Sequence, residues 1–201
     1  MIASVLHLSR DDCKKLKIMD VYSIHKIVYS LFPQQENKAR NFLFCDKGGD
    51  FYERRILILS EEIPLQPEIG MLESKNIPKS FLYDDYYGFT VLMNPVKKES
   101  KTGKIIVIKG KENMASWFIQ KSEKFGFEIL PDSLVVNDTT VLKFEKKGQK
   151  VVLSKAQFIG KLKVTNRELF IKSFKKGLGK GKAFGFGLFQ IVPIEPASVD
   201  A

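Results

Sequence analysis

The segment KKGLGKGKAFGFGLFQI, residues 175–191, decides how the end of this chain folds. Five glycines and four lysines fall within these seventeen residues, and the segment closes on an apolar run typical of a strand. Upstream, Asn166 is suited to cap a helix that runs from Arg167 to about Lys176. Gly177 would end that helix, because glycine readily adopts the left-handed conformation at a helix C-terminus. The predicted order is therefore helix, glycines, strand.

That order argues against a nucleotide site. A phosphate-binding loop requires GxxxxGK followed by Ser or Thr, between a strand and a helix, whereas Gly181 and Lys182 are followed by Ala183. A dinucleotide fingerprint also needs the strand first and the helix last. We therefore expect no nucleotide cofactor. Two interpretations stay open for the glycines: close packing of the last strand, or close approach of the backbone to a larger polyanion. These glycines are Gly177, Gly179, Gly181, Gly185 and Gly187.

Positive charge is concentrated in one part of the chain. The 201 residues carry a net charge of +10, whereas residues 143–182 hold 13 Lys or Arg against two acidic residues, a net charge of +11. The rest of the chain therefore carries a net charge of −1. A basic excess confined to one segment predicts a polyanion surface, with nucleic acid as the leading candidate. A lysine-rich solubilising face is the alternative interpretation.

Other features narrow the class of protein. No unbroken apolar run approaches 18 residues, so we expect no membrane-spanning helix and no membrane partner. Cys13 and Cys45 show neither the spacing of a metal site nor a disulfide framework. The carboxylates form no tight cluster of the magnesium type, so we expect no metal and no other cofactor. Cysteine usage favours a reduced, cytoplasmic compartment.

The pattern of elements repeats in two halves. In the first, strands are predicted at residues 1–8, 41–46 and 54–60, with a helix from Asp20 to Phe32, a possible short helix near 68–74, and a further strand at 86–96. In the second, strands are predicted at 104–108, 141–145, 150–154, 157–164 and 188–194, with helices at 112–125 and 167–176. Both halves approximate strand–helix–strand–strand–helix–strand. The sequence thus predicts an α+β protein of two tandem ferredoxin-like (RRM-like) domains with antiparallel sheets, at residues 1–82 and 83–201.

The helix VYSIHKIVYSLFP, residues 21–33, offers the clearest candidate for chemistry. Its expected core side consists of Val21, Ile24, Val28 and Leu31, and its opposite side carries Tyr22, Lys26 and Tyr29. His25 lies between the two sides, and an imidazole can accept or donate a proton near neutral pH. A purely structural role at the edge of the core is the alternative. Since no metal site is predicted, cleavage of a nucleic acid here would be restricted to RNA, whose own 2′-hydroxyl can attack phosphorus.

Several stretches together carry a resemblance to a known family. In chain order they are Tyr22, His25 and LFP (31–33), ARNFLF (39–44), Asn94-Pro95, GKIIVI (103–108), a helix around Trp117, and the glycine-rich stretch GLGKGKAFGFGLFQI (177–191). In this combination the chain resembles CRISPR-associated repeat-processing endoribonucleases of the CasE type, which serve the Cascade surveillance complex. The stretch YYGFTVLM, residues 86–93, departs from that family, because it lacks the arginine that often precedes the Asn-Pro pair.

The resemblance implies a function. Members of this family cut CRISPR precursor RNA at the 3′ base of each repeat hairpin, without a metal, and leave 2′,3′-cyclic phosphate and 5′-hydroxyl ends. The enzyme is expected to remain on the 3′ hairpin of the mature crRNA, together with subunits of a Cascade-type effector complex. His25 matches the family's catalytic histidine, and Tyr22 its partner tyrosine. A non-catalytic RRM-like RNA-binding assembly subunit is the alternative function.

The basic residues supply the remaining site predictions. The candidates to stabilise the transition state are Lys26, Lys180 and Lys182. The predicted RNA-binding residues are Lys146, Lys147 and Lys150 at a hairpin tip, Lys172, Lys175 and Lys176 on the last helix, and Lys97 and Lys98 after the Asn-Pro pair. Recognition of an RNA stem through its shape and phosphates would make binding sensitive to salt.

Overall fold

The computed structural model of this protein describes residues 1–33, 40–146 and 148–195. Its first half contains β1 (Ile2–Ser9), α1 (Arg10–Lys15), α2 (Val21–Ser30), β2 (Phe42–Gly49), β3 (Glu53–Ser60) and β4 (Met71–Asn76). The four strands form one sheet in the order β2-β3-β1-β4, and every neighbouring pair is antiparallel. This is the strand order of a ferredoxin-like fold.

The second half repeats this order. It contains β5 (Tyr86–Met93), β6 (Val96–Lys98), β7 (Ile105–Val107), α3 (Lys111–Ser122), β8 (Phe127–Ile129), β9 (Val135–Lys146), β10 (Gln149–Val164), α4 (Arg167–Lys176) and β11 (Phe189–Pro193). The sheet order is β11-β5-β10-β8, with β9 also paired to β10, and β6 and β7 form a separate two-stranded sheet. Two tandem ferredoxin-like domains with antiparallel sheets are therefore confirmed. The boundary between residues 82 and 83 stays a prediction; it falls between β4 and β5.

Two predictions are wrong in detail. The short helix near residues 68–74 is absent, and β4 occupies that region because its backbone pairs with β1, with Leu72 opposite Leu6. The strand predicted at 104–108 is confirmed as β7, which pairs with β6 in the separate sheet. The segments 150–154 and 157–164 belong to the single strand β10, whose pairing with β9 shifts register between Lys155 and Gln157. Nothing local in the sequence marks these pairings, which depend on distant partners.

The domains have separate cores that meet along one apolar contact. In the first, α2 packs Ile24 and Val28 onto β1 residues such as Leu6. The second is dominated by phenylalanines on α3, α4 and the sheet. Leu43, Cys45 and Leu59 of the first domain are buried within the second cluster. Continuous burial of apolar side chains thus fixes the orientation of the domains. Within the described part of the chain, no helix combines the length and apolar character that crossing a membrane requires.

Candidate active site at the contact between the domains

Helix α2 presents His25 at the edge of the first core. The Asp20 carboxylate accepts a hydrogen bond from the Ser23 backbone N–H at 2.8 Å, which caps the helix. Ile24 and Val28 are fully buried, whereas His25 is only half-buried. The predicted helix is confirmed, and so are Ile24, Val28 and Leu31 of its core side. Val21 instead lines a cleft, and Tyr29, predicted on the opposite side, packs against the core. Because the buried side is fixed by packing, His25 is held on the surface that faces the second domain.

A backbone carbonyl from the other end of the chain orients His25. The imidazole Nδ1 lies 2.7 Å from the Ala183 carbonyl oxygen, although the two residues are 158 positions apart. A carbonyl can only accept, so Nδ1 carries the proton, and Nε2 of the neutral ring is left as the acceptor. The arrangement therefore selects one tautomer and directs its basic nitrogen away from the loop.

Aromatic rings surround the imidazole. The ring centroid of Tyr29 lies 4.0 Å from that of His25, and those of Tyr22 and Phe184 both lie at 5.5 Å. Tyr22 is nearly parallel to the imidazole, with 19° between the planes. Tyr22 and His25 therefore share one surface, as the helical spacing predicts, and Phe184 brings the glycine-rich loop against the same ring.

The glycine-rich loop, residues 177–187, is packed against its own chain. All five of its glycines have positive φ, between 68° and 88°. At Gly187 a Cβ atom would lie 2.2 Å from the Leu178 carbonyl oxygen, and at Gly177 it would lie 2.8 Å from both the Gly187 carbonyl oxygen and the Leu43 side chain. Of the two interpretations open from the sequence, close packing thus accounts for these glycines. The packed loop delivers the Ala183 carbonyl to His25.

The three lysines predicted to stabilise a transition state lie in different settings. The Lys182 Nζ donates to the Lys176 carbonyl oxygen at 2.6 Å and so ties the loop to the C-terminus of α4. Burial lowers the pKa of Lys182, and the charges of Arg40 and Lys176 lower it further. Lys26 is exposed, with its Nζ 5.2 Å from the centre of the Tyr22 ring, and Lys180 is exposed on the loop. Lys182 therefore serves the architecture of the loop.

The β9–β10 hairpin brings a further lysine to the site. The Lys146 Nζ lies 5.3 Å from the centre of the Phe184 ring. The same ring also contacts His25. Lys150 is exposed and pairs across the hairpin with Glu145. Lys147 lies outside the described residues. Of the predicted hairpin lysines that are described, the structure thus places Lys146 beside the candidate catalytic group.

The other predicted RNA-binding lysines lie on two further elements. Lys172, Lys175 and Lys176 are exposed on α4, and Lys97 and Lys98 are exposed on β6. The Asn94 side chain between β5 and β6 is buried, and its Oδ1 accepts the Ser154 N–H of β10 at 3.2 Å. The Asn-Pro pair therefore has a structural role in joining two strands.

Arg40 is a site residue that the sequence reasoning missed. Its charge acts on both His25 and Lys182 by lowering the pKa of each, so it lies near the candidate site. Its guanidinium carbon is 5.9 Å from the centre of the Phe42 ring. In the sequence, Arg40 is distinguished only by its position within the stretch ARNFLF. That position gave no reason to choose Arg40 over other basic residues.

The surroundings of His25 favour the neutral imidazole. Partial burial lowers the pKa of His25 below its ordinary value. The hydrogen bond to the Ala183 carbonyl opposes this effect, and the charges of Lys146, Arg40 and Lys26 add to it. At neutral pH the side chain is therefore able to accept a proton at Nε2.

A cleft of about 720 Å³ lies beside the candidate site, and its lining includes Ile24 of α2 and Phe184, the residue whose ring contacts His25. Charged side chains within it form ion pairs, Arg54 with Asp46 and Lys155 with Asp138. Lys143 of β9 also lines this cleft, but His25 is absent from the described residues that do so. His25 therefore borders this cleft through its neighbours Ile24 and Phe184. Among the described residues, no three His, Cys, Asp or Glu side chains are grouped so that they could hold a metal ion.

Comparison with known proteins agrees with this architecture. The model of a family described as CRISPR associated protein matches residues 1–193. The CRISPR-associated endoribonuclease Cse3 of Thermus thermophilus is 29% identical over 115 residues, which cover 52% of this chain and 54% of that protein. The match to this relative thus spans about half of its length. The CRISPR system Cascade subunit CasE of Escherichia coli is 22% identical over 199 residues, covering 94% of this chain and 100% of CasE.

A solved structure shows the same fold over nearly the whole chain. The structure of the CRISPR endoribonuclease Cse3 bound to a 19-nucleotide RNA superposes with a TM-score of 0.84 at 19% sequence identity. The match covers 96% of this chain and 100% of that one.

Proposed function

We propose that this chain, which belongs to the family of CRISPR-associated proteins, is an endoribonuclease. It cuts CRISPR precursor RNA at the 3′ base of the repeat hairpin. The observation that carries the proposal is the hydrogen bond from His25 Nδ1 to the Ala183 carbonyl. It fixes Nε2 as a proton acceptor on a surface that also presents Tyr22 and several cations. The likeness to Cse3 and CasE supports the same activity.

The reaction needs only groups of the RNA and of this chain. His25 Nε2 removes the proton of the 2′-hydroxyl, whose oxygen then attacks the adjacent phosphorus. The bond from phosphorus to the 5′-oxygen breaks, and that oxygen takes up the proton that His25 had accepted, which restores the neutral imidazole. The products carry a 2′,3′-cyclic phosphate and a 5′-hydroxyl. Tyr22, next to His25 on α2, orients the 2′-hydroxyl or donates to the scissile phosphate.

RNA binding is assigned to the exposed cations of α4 and of the β9–β10 hairpin. The lysines of α4 follow the phosphate backbone of the stem, and the β9–β10 hairpin enters a groove. These contacts read shape and charge, so affinity falls steeply with salt concentration. After the cut, the protein remains on the 3′ hairpin and joins the subunits of a Cascade-type complex, as the name of the CasE relative suggests.

The decisive experiment is incubation of the purified protein with a synthetic repeat RNA from the same genome, followed by mapping of the product ends. We expect one cut at the 3′ base of the hairpin, cyclic phosphate ends, and an unchanged rate in EDTA. An RNA with a 2′-deoxy nucleotide immediately 5′ of the cut should bind and stay intact. Binding without any cleavage would instead indicate a non-catalytic RNA-binding subunit, and an absolute magnesium requirement would overturn the mechanism.

A further inference from the structure

Tyr29 presents the aromatic ring that lies closest to the imidazole of His25 within the described chain. The two ring centroids are 4.0 Å apart with 44° between the planes, whereas the rings of Tyr22 and Phe184 lie at 5.5 Å. Tyr29 follows His25 by four positions on α2, and side chains four positions apart on a helix are neighbours. The contact is therefore a property of the helix itself and does not depend on the glycine-rich loop.

The core of the first domain holds Tyr29 in place. Its ring makes an edge contact with Phe42, with centroids 5.0 Å apart and 78° between the planes, and Phe42 stacks on Phe32 at 4.2 Å and 8°. Phe32 and Phe42 are buried, and Tyr29 packs partly buried against the same core. Side chains in a close-packed core have little freedom to change rotamer. Tyr29 thus connects a rigid core to the imidazole.

The hydrogen bond at Nδ1 is not sufficient to hold the imidazole in one orientation. The terminal torsion of a histidine side chain has a broad, roughly two-fold energy profile. A single hydrogen bond, such as that to the Ala183 carbonyl, favours one orientation over another by only about five-fold. The ring of Tyr29 occupies the space on one side of the imidazole and therefore opposes its rotation.

We propose that Tyr29 is a positioning residue for the cleavage, and that its ring holds the imidazole of His25 with Nδ1 on the Ala183 carbonyl and Nε2 directed at the 2′-hydroxyl. This inference rests on the proposed function and assigns a residue that acts through His25 without touching the RNA. The planar ring carries the role, and the tyrosine hydroxyl is not required for it.

The same ring helps to keep water away from the imidazole. Burial is the largest cause of the lowered pKa of His25. Loss of the Tyr29 ring should expose the imidazole and raise the pKa of His25 toward its ordinary value. The other titratable and charged groups that face His25 would stay in place: Tyr22 and Lys26 on α2, Arg40 before β2, Lys182 beside Ala183 on the glycine-rich loop, and Lys146 on β9.

Nuclear magnetic resonance of the full chain labelled with ¹⁵N-histidine tests the orientation without any RNA. The chain has only two histidines, and His7, whose Nδ1 contacts the Glu53 carboxylate at 2.9 Å, is an internal reference. In the wild type, neutral His25 should carry its proton on Nδ1 alone. In Tyr29→Ala it should be a mixture of both tautomers with a raised pKa, and the His7 signals should stay unchanged.

Single-turnover cleavage of the repeat RNA at saturating protein tests the consequence for catalysis. Tyr29→Ala should cut up to about 100-fold more slowly than the wild type, the cost of a catalytic group displaced by about 1 Å. The midpoint of its rate profile should shift to higher pH, and its affinity for the RNA should change only a few-fold. Tyr29→Phe keeps the ring and should recover most of the rate.

Two further variants separate positioning from stability. Ile27 also packs against the first core from α2, but side chains two positions apart on a helix do not face each other. Ile27→Ala should therefore lose stability and keep the tautomer and the cleavage rate. Tyr29→Leu keeps apolar packing against the core, so it should fold even if Tyr29→Ala does not, and it should still show mixed tautomers and slow cleavage.

Three results would count against these inferences, and they are distinguishable. A tautomer and a pKa of His25 that are unchanged in both Tyr29→Ala and Tyr29→Leu would overturn the positioning role. A loss of rate in Tyr29→Phe as large as that in Tyr29→Ala would overturn the assignment to the ring. Absence of cleavage by the wild type would refute the proposed function, whereas the tautomer measured without RNA would still decide whether Tyr29 orients His25.

Discussion

Gly187→Ala should destabilise this protein far more than the same substitution at another glycine with nearly the same backbone conformation. At Gly187 φ is +79°, and a Cβ would lie 2.2 Å from the Leu178 carbonyl oxygen. Gly48, near the end of β2, has φ +77° and no atom within 4 Å of the Cβ position. The two glycines therefore share the conformational cost of a side chain at positive φ and differ in the available space.

The expected magnitudes follow from these contacts. Positive φ alone costs an L-residue about 1–2 kcal/mol, which is the whole effect expected for Gly48→Ala. Relief of the clash at Gly187 requires the loop to move away from Leu178. The hydrogen bonds from the Leu178 N–H to the Gly187 carbonyl, at 2.9 Å, and from the Gly187 N–H to the Leu92 carbonyl, at 2.7 Å, would then be lost. At about 1 kcal/mol for each bond, Gly187→Ala should cost about 3–4 kcal/mol.

Thermal unfolding measured by calorimetry or circular dichroism gives the comparison. For a chain of this size 1 kcal/mol shifts Tm by about 2–4 °C, so we expect a loss of about 10 °C for Gly187→Ala and about 4 °C for Gly48→Ala. Below its Tm, Gly187→Ala should also cut the repeat RNA more slowly, because the moved loop no longer holds the Ala183 carbonyl against His25. Equal Tm losses in the two variants would refute the inference that the glycine-rich loop is close-packed.

Two further predictions concern His25 itself. His25→Ala should slow cleavage by about 10²–10⁴-fold, the usual contribution of a general acid or base, while a binding titration shows unchanged hairpin affinity; lost affinity would return His25 to a structural role. Burial lowers the pKa of His25 below 6.5. If His25 is the general base, the single-turnover cleavage rate should therefore rise with pH through a midpoint below 6.5 and be level at neutral pH. A cleavage rate that falls with pH in that range would assign His25 as the general acid. Because the pKa of His25 is lower in the folded state, the unfolded state binds the proton more readily. The contribution of His25 to the free energy of unfolding is therefore lost as the pH falls below 6.5. Urea unfolding between pH 5 and 7 measures this loss.

Local sequence patterns determined the elements that carry the site. The apolar spacing on α2 fixes which of its sides is buried, so it also fixes that Tyr22 and His25 lie on neighbouring positions of the remaining surface. Asn166 and Gly177 mark the ends of α4, and both cap it as predicted. These features depend on residues within a few positions of one another, so periodicity and capping rules are sufficient.

Tertiary structure alone decided which groups meet at His25. The Ala183 carbonyl is a backbone group, and any residue at that position would supply one. The residue type at position 183 therefore does not indicate the contact with His25. Lys146 reaches the site because β9 ends beside Phe184, and Arg40 because it lies just before β2, near the Phe42 ring. The second helix expected in the first domain is replaced by strand β4, since pairing with β1 outweighs weak local preference. The sequence by itself thus determined helices α2, α3 and α4, the basic segment, and the order of helix, glycines and strand at residues 167–193. Packing between the domains decided the partners of His25, because contacts between residues about 120–160 positions apart leave no periodic pattern along the chain.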